Sequence, residues 1–345
     1  CTSLGDTEKG YQLGNFALKL LNKYNAKQLK SVIYEVFNAH MRHWKEPLRE
    51  TIEPLLEGVK IGLETGVTDY VCWNATVYCS NIFFTGEHLE SVAQKQIPYL
   101  DMMARLRHEI TLNPARVWHQ MALNLIGNSP DKYALKGKVF DETDSLQSLV
   151  ELNHRFALHS LYSAKLIIHY LYKDYTNAVI NANMAQDYSN GVTGLLNLAV
   201  QNFYYSLAIL AQYPNLCEPE QAQCLNQVAA NQETLQRWAF HAPQNFQHKY
   251  DLVEAEKARI LGQTLTAMEY YDRAIQGAKE QEYIQEEALA NELAAEFYFS
   301  VGRQKIAQTY LIEAHYGYTS WGAKTKIADL ESRYPQLAVQ NYARA

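Results

Sequence analysis

The sequence predicts an all-α chain, a right-handed α-solenoid of about seven helical hairpins with a period of ~40 residues. Three observations predict it. Proline and glycine are scarce, at 9 and 16 of 345 residues, so little interrupts long elements. Apolar residues recur at three- and four-residue steps, whereas strand-like alternation bounded by turn signals is hard to find. The C-terminal part also repeats itself. Aligning ARILGQTLTAMEYYDRAI (258–275) with YFSVGRQKIAQTYLIEAH (298–315) superposes Gly262 on Gly302, Ala267 on Ala307, Tyr270 on Tyr310 and Ala274 on Ala314, each 40 residues apart.

Each of those positions has a physical reading. A glycine ending one helix supplies the left-handed cap, and small alanines on the next let two antiparallel helices approach closely. That is a hairpin of tetratricopeptide kind, longer than the usual ~34 residues. In chain order, an early pair lies around 40–66, and IFFTGEHLESVAQ (82–94) turns at Gly86. YLYKDYTNAVINANMA (170–185) carries the pattern at Asp174, Tyr175, Ala178, Ala182 and Ala185. The gaps leave room for degenerate hairpins near 122–137 and 205–221. In EEALANELAAEFYFSVG (286–302), Leu289, Leu293 and Phe297 make an apolar face that leaves Glu287, Glu292, Glu296 and Arg303 to water. The segment 316–337 reads as the last helix, with Trp321 closing the core and Pro335 ending it. Residues 1–337 then form one solenoid, with weaker halves 1–150 and 151–337, and 338–345 form a linker tail.

Composition narrows the function. With 31 Lys+Arg against 37 Asp+Glu the net charge is −6, and no basic block stands out to neutralise a phosphate backbone, so no nucleic acid partner is expected. Cys1, Cys72, Cys79, Cys217 and Cys224 form no CxxC pair; their odd number and wide spacing suit a reducing, cytoplasmic setting. The start carries neither an initiating Met nor a signal peptide, which suggests a segment of a longer chain. Residues 188–217 are uncharged. Asn197, Gln201, Asn202, Ser206 and Gln212 nevertheless interrupt them at helical spacing, which predicts an amphipathic helix with an uncharged polar face and no membrane span.

The chemistry of a reaction is not apparent. There is no GxxxxGK[ST] loop to cradle a nucleotide, so no cofactor is expected. His108-Glu109 is followed by Leu112 where a zinc helix needs its second histidine, and His40 and His43 lack a third ligand at suitable spacing, so no metal is expected. The stretch RHEITLNP (107–114) resembles the His-Glu-x-x-Thr/Asn-Pro phospho-acceptor box but holds one extra residue before Asn113-Pro114. Cys79 has no base or orienting group beside it in sequence and reads as a buried hydrophobe. The richest cluster is WAFHAPQNFQHKY (238–250). Helical spacing on both sides of Pro243 makes it a corner between two helices, wedged by Trp238, Phe240 and Phe246.

The segments VFNAHMRHWKEPLRETIEPLLEGVKIGLETG, WAFHAPQNFQHKYDLVEAEKARILG and EEALANELAAEFYFSVGRQKIAQTYLIEAHYGYTSWGAKTKIADLESRYPQL resemble the helical-repeat region of very large multidomain signalling kinases of cyanobacterial type. In that family a Ser/Thr kinase-like domain and a STAND or AAA ATPase precede this region, and GAF and histidine kinase modules follow. The resemblance implies a non-catalytic sensor and interaction module that couples the ATPase to the kinase output. Its partners would be another protein or those neighbouring domains. The polar stripe Asn197, Gln201 and Tyr205, with His241 and Asn245 at the corner, is the expected contact surface. Competing readings are a stand-alone adaptor, or an enzyme or phospho-acceptor using the His108 or His241 region.

Overall fold

The computed structural model describes residues 6–337, and within them every named element is helical. The linker expected at 338–345, like Cys1, lies outside the described residues. The helices run α1 (Thr7–Lys23), α2 (Lys27–His40), α3 (Ile52–Thr65), α4 (Thr68–Phe84), α5 (Leu89–Arg105), α6 (Glu109–Ile126), α7 (Glu142–Glu151) and α8 (Arg155–Leu171). They continue as α9 (Tyr175–Asp187), α10 (Asn197–Gln212), α11 (Glu218–His241), α12 (Pro243–Ile260), α13 (Thr264–Glu280), α14 (Ile284–Ser300), α15 (Gln304–Trp321) and α16 (Lys324–Arg333). No helix among the described residues is long and apolar enough to cross a membrane.

One turn recurs along the chain. Three residues separate α12 from α13 and α14 from α15, and the middle one, Gly262 or Gly302, has φ of +71° or +77°. The residue after it returns its N–H to a carbonyl five positions back, Gln263 to Ala258 and Arg303 to Tyr298, both at 2.9 Å. This satisfies carbonyls that a helix end would otherwise leave bare. The same geometry appears without glycine at Asn25, Arg107, Asn153, Lys173 and Glu282. Helix starts are fixed by other means. Asp174 and Asp141 accept N–H groups of Asn177 and Thr143, the Glu220 carboxylate accepts the Cys217 N–H, and Pro243 opens α12 where a missing N–H costs nothing.

Two elements differ from expectation. Residues 316–337 are not one helix, because Gly322 takes φ +84°, ends α15 just after the buried Trp321, and lets α16 begin at Lys324. Around 122–137 there is no second helix: α6 stops at Gly127 (φ +101°), and the chain runs irregularly to α7 through a lone bridge between Lys136 and Asp141.

The larger departure lies in which helices meet. In a one-dimensional array each repeat touches only its neighbours. Here the C-terminal helices seat on the N-terminal ones. Trp321 packs on Phe83 at 6.2 Å, within a group in which Phe84 meets Trp118 at 4.7 Å. Thr325 of α16 donates to the Leu125 carbonyl at 3.0 Å, and Gln285 of α14 donates to the Phe84 carbonyl at 2.9 Å. Trp44 stacks with Phe246 at 5.4 Å, meets the tilted ring of Trp238 at 5.1 Å and donates to the Gly194 carbonyl. An open solenoid leaves such helices apart; these contacts bring α4 and α6 against α14–α16.

That packing also changes the fate of α14. Helical periodicity places Glu292 in water, yet it is fully buried, because α16 and the α8–α9 turn cover that face. Its carboxylate meets Lys326 at 2.9 Å, Arg333 at 2.6 Å and Lys173 at 3.3 Å, and accepts the Tyr318 hydroxyl at 2.7 Å. Burial alone would raise this carboxyl, but the three cations outweigh it and hold Glu292 well below the usual carboxylate range. Glu296, by contrast, stays half-buried and Arg303 exposed.

Candidate functional site

The five residues expected to form a contact surface do not form one. Asn197, Gln201 and Asn245 are buried. Gln201 donates to the Ala182 carbonyl and to Gln186 Oε1 at 3.3 and 3.0 Å, which ties α10 to α9, and the half-buried Tyr205 donates to Asn183 Oδ1 at 2.8 Å. Their polar atoms face the neighbouring helix because α10 is covered on more than one side, a situation that a polar stripe in sequence does not distinguish from an exposed face. His241, the last residue of α11, is half-buried beside the exposed Phe240.

Asn245 has a structural task. It sits in the first turn of α12, where its Oδ1 accepts the Leu48 N–H at 3.0 Å and the Tyr283 hydroxyl at 2.8 Å. Its Nδ2 donates to the carbonyls of His43 and Glu46, both at 2.7 Å. All four hydrogen-bonding positions of the amide are thus used. Below it lies a buried trio in which Glu286 contacts His248 and Lys249, the latter at 2.7 Å. Burial would raise the Glu286 carboxyl, but Lys249 and His248 hold it below its ordinary value.

This knot lies beside a seam between the turn before α3 and the α13–α14 turn. Arg49 crosses the seam. Its guanidinium donates to the carbonyls of Thr85 at 2.9 Å, Gln281 at 2.7 Å and Glu282, and pairs with the Glu282 carboxylate at 2.9 Å. A groove of about 890 Å³ opens along it. Tyr78 and Ile82 are its buried floor, and Ile52, Leu56 and Tyr99 its partly exposed apolar walls. The Tyr78 and Tyr99 rings meet edge-on at 4.9 Å. Around them Lys95 and Lys279 alternate with Glu53, Glu87 and Glu287. Burial raises the Glu287 carboxyl. Apolar walls with a mixed-charge rim suit a side-chain-bearing segment of another protein. Sequence reasoning missed these residues because they come from positions 49–99 and 279–287, with no periodicity linking the two sets.

The other candidates fall elsewhere. His108 is the residue before α6 rather than on its face, with Nδ1 2.9 Å from Thr111 Oγ1. His43 is fully buried, whereas His40 lies at a cavity edge, so the pair shares no face. Burial pushes the Cys79 thiol up, which disfavours the thiolate. Among the described residues no group of three or more His, Cys, Asp or Glu side chains is placed to hold a metal ion.

No protein-family model matches the chain. A 60-residue stretch, 17% of the chain, is 45% identical to hybrid signal transduction histidine kinase G of Dictyostelium discoideum. The similarity links the chain to a signalling kinase. It spans 2% of that protein's length.

Proposed function

We propose that this chain is a non-catalytic sensor and protein-interaction module of a multidomain signal-transduction kinase, and that it receives its partner in the groove beside Arg49. Its helical hairpins are tetratricopeptide-like units whose early and late members pack together. The neighbouring domains would be an ATPase on one side and a GAF and histidine kinase output on the other, in the cytoplasm. Similarity to a histidine kinase supports the signalling context. The observation that carries the coupling role is Arg49, which bonds to the end of α4 and to the α13–α14 turn at once, so an occupant of the groove acts on both sides of the seam.

The test is made in the native gene. Antibody capture should recover a polypeptide several times the mass of this chain, and Tyr99→Ala with Lys95→Glu should change its histidine autophosphorylation while leaving its abundance intact. A polypeptide no larger than this chain, or unchanged phosphorylation, would overturn the reading.

A further inference from the structure

A second cavity, of about 330 Å³, lies between α2, α4, the start of α8 and the loop before α10. Its lining holds a carboxylate, Glu35, and three aromatic rings, Tyr70, Trp73 and Phe156, but no lysine or arginine. Glu35 is only 5% exposed, yet its carboxylate makes no hydrogen bond among the described residues. The one ionisable side chain within 4 Å of it among the described residues is His40, whose Nε2 is 3.7 Å away. The other imidazole nitrogen, Nδ1, lies 3.2 Å from the Thr193 carbonyl, which can only accept. Nδ1 therefore carries a proton, and Nε2 lies beyond hydrogen-bonding distance of Glu35. The carboxylate thus lines the cavity with no hydrogen bond to the protein among the described residues. In the same cavity, Trp73 and Phe156 stack within 8° of parallel, their centroids 6.2 Å apart. Aromatic rings that share a cavity with a carboxylate attract a cation whose charge is spread over carbon-bearing groups, since the rings favour positive charge and the cavity favours a weakly hydrated ion.

We propose that this cavity binds a small organic ammonium compound, with Glu35 as counter-charge and Trp73, Phe156 and Tyr70 as the aromatic wall. Its volume suits a single small molecule. The cavity is separate from the groove beside Arg49, and its chemistry stands whether or not that groove takes a partner. In a sensor, this is the site at which a metabolite of that chemical class is read.

The experiment compares choline with 3,3-dimethylbutan-1-ol, its neutral isostere, by titration calorimetry and by thermal unfolding of the chain. The expected result is saturable choline binding that raises the melting temperature with concentration, and at least about tenfold weaker binding of the neutral compound. Glu35→Gln should weaken choline binding by about tenfold while the ligand-free protein melts no lower, because the carboxylate makes no hydrogen bond to the protein that the change would break. Trp73→Leu should weaken it similarly, with the Glu35→Gln result standing if that variant folds poorly. Equal binding of the two compounds, no binding of either, or choline binding indifferent to Glu35→Gln would overturn the proposal. So would a lysine-bearing peptide that binds where free choline does not.

Discussion

Glu292 and Lys326 meet at 2.9 Å with neither side chain exposed to water. Lys326 also donates to the Leu171 carbonyl at 2.6 Å, so the pair fastens α14 and α16 to the end of α8. Glu292 is the only anion that Lys326 contacts among the described residues, whereas Glu292 has Lys173 and Arg333 besides. Glu292→Gln should therefore destabilise the chain by about 3–5 kcal/mol, since it leaves the buried Lys326 uncompensated while Lys173 and Arg333 keep Glu296. Lys326→Met should cost clearly less. Urea denaturation of the two variants checks the asymmetry, and equal losses would contradict it.

Asn245 and Gln201 read alike in the sequence, as surface residues, and differ in the structure by how much each one holds. Truncating Asn245 to Ala strands the Leu48 N–H, the Tyr283 hydroxyl and two carbonyls, and should cost about 2–4 kcal/mol. Gln201→Ala loses bonds to one carbonyl and one side chain and should cost about 1 kcal/mol. Denaturation midpoints at constant slope would test both.

Acid should unfold the chain through its buried histidines. Burial holds His43 down to about 3, His119 to about 4 and His159 to about 3. The unfolded chain takes up these protons near the ordinary value of ~6.5, before the folded chain does, so their contribution is full above that pH and falls as pH drops toward 4. Each histidine contributes a slope of about 1.4 kcal/mol per pH unit, or about 4 for the three. Stability measured at pH 7.5, 6.5 and 5.5 should fall by about 1 kcal/mol over the first step and by about 3 kcal/mol over the second. His43→Phe should remove about 1 kcal/mol of the fall over the second step.

Two glycines with similar backbone angles should differ in tolerance. Gly302 has φ +77° and nothing within 4 Å of the place a methyl group would occupy, so Gly302→Ala meets only the left-handed penalty of about 1–2 kcal/mol. At Gly86, φ +82°, the methyl would lie 2.3 Å from Gln285 Oε1 and 3.1 Å from the Ile284 nitrogen. Gly86→Ala should cost more, because Gln285 also bonds the Phe84 carbonyl and must shift. Thermal melting of the two variants gives the comparison.

Gly262 and Gly302 mark their turns in the sequence because glycine adopts positive φ freely. Lys173 and Glu282 adopt it too, at a small strain cost offset by tertiary contacts, and leave no such mark. The corner at Pro243 is readable because proline constrains its own neighbourhood. Burial of Glu292 is not, because helical periodicity reports one face of a helix and says nothing of a neighbour arriving on the other. The groove and the Glu35 cavity are likewise assembled from segments far apart in the chain.

The contact between early and late helices also bears on how the chain is made. The Leu48 N–H waits for a residue 197 positions later, and the Phe84 carbonyl for one 201 positions later. During synthesis, which proceeds at about 5–20 residues per second, these groups and the aromatic faces around Phe83 and Trp44 stay uncovered for roughly ten seconds or more after they emerge. The N-terminal helices can form early but cannot finish, and a chain cut short before α12 would present those faces to chaperones and proteases instead.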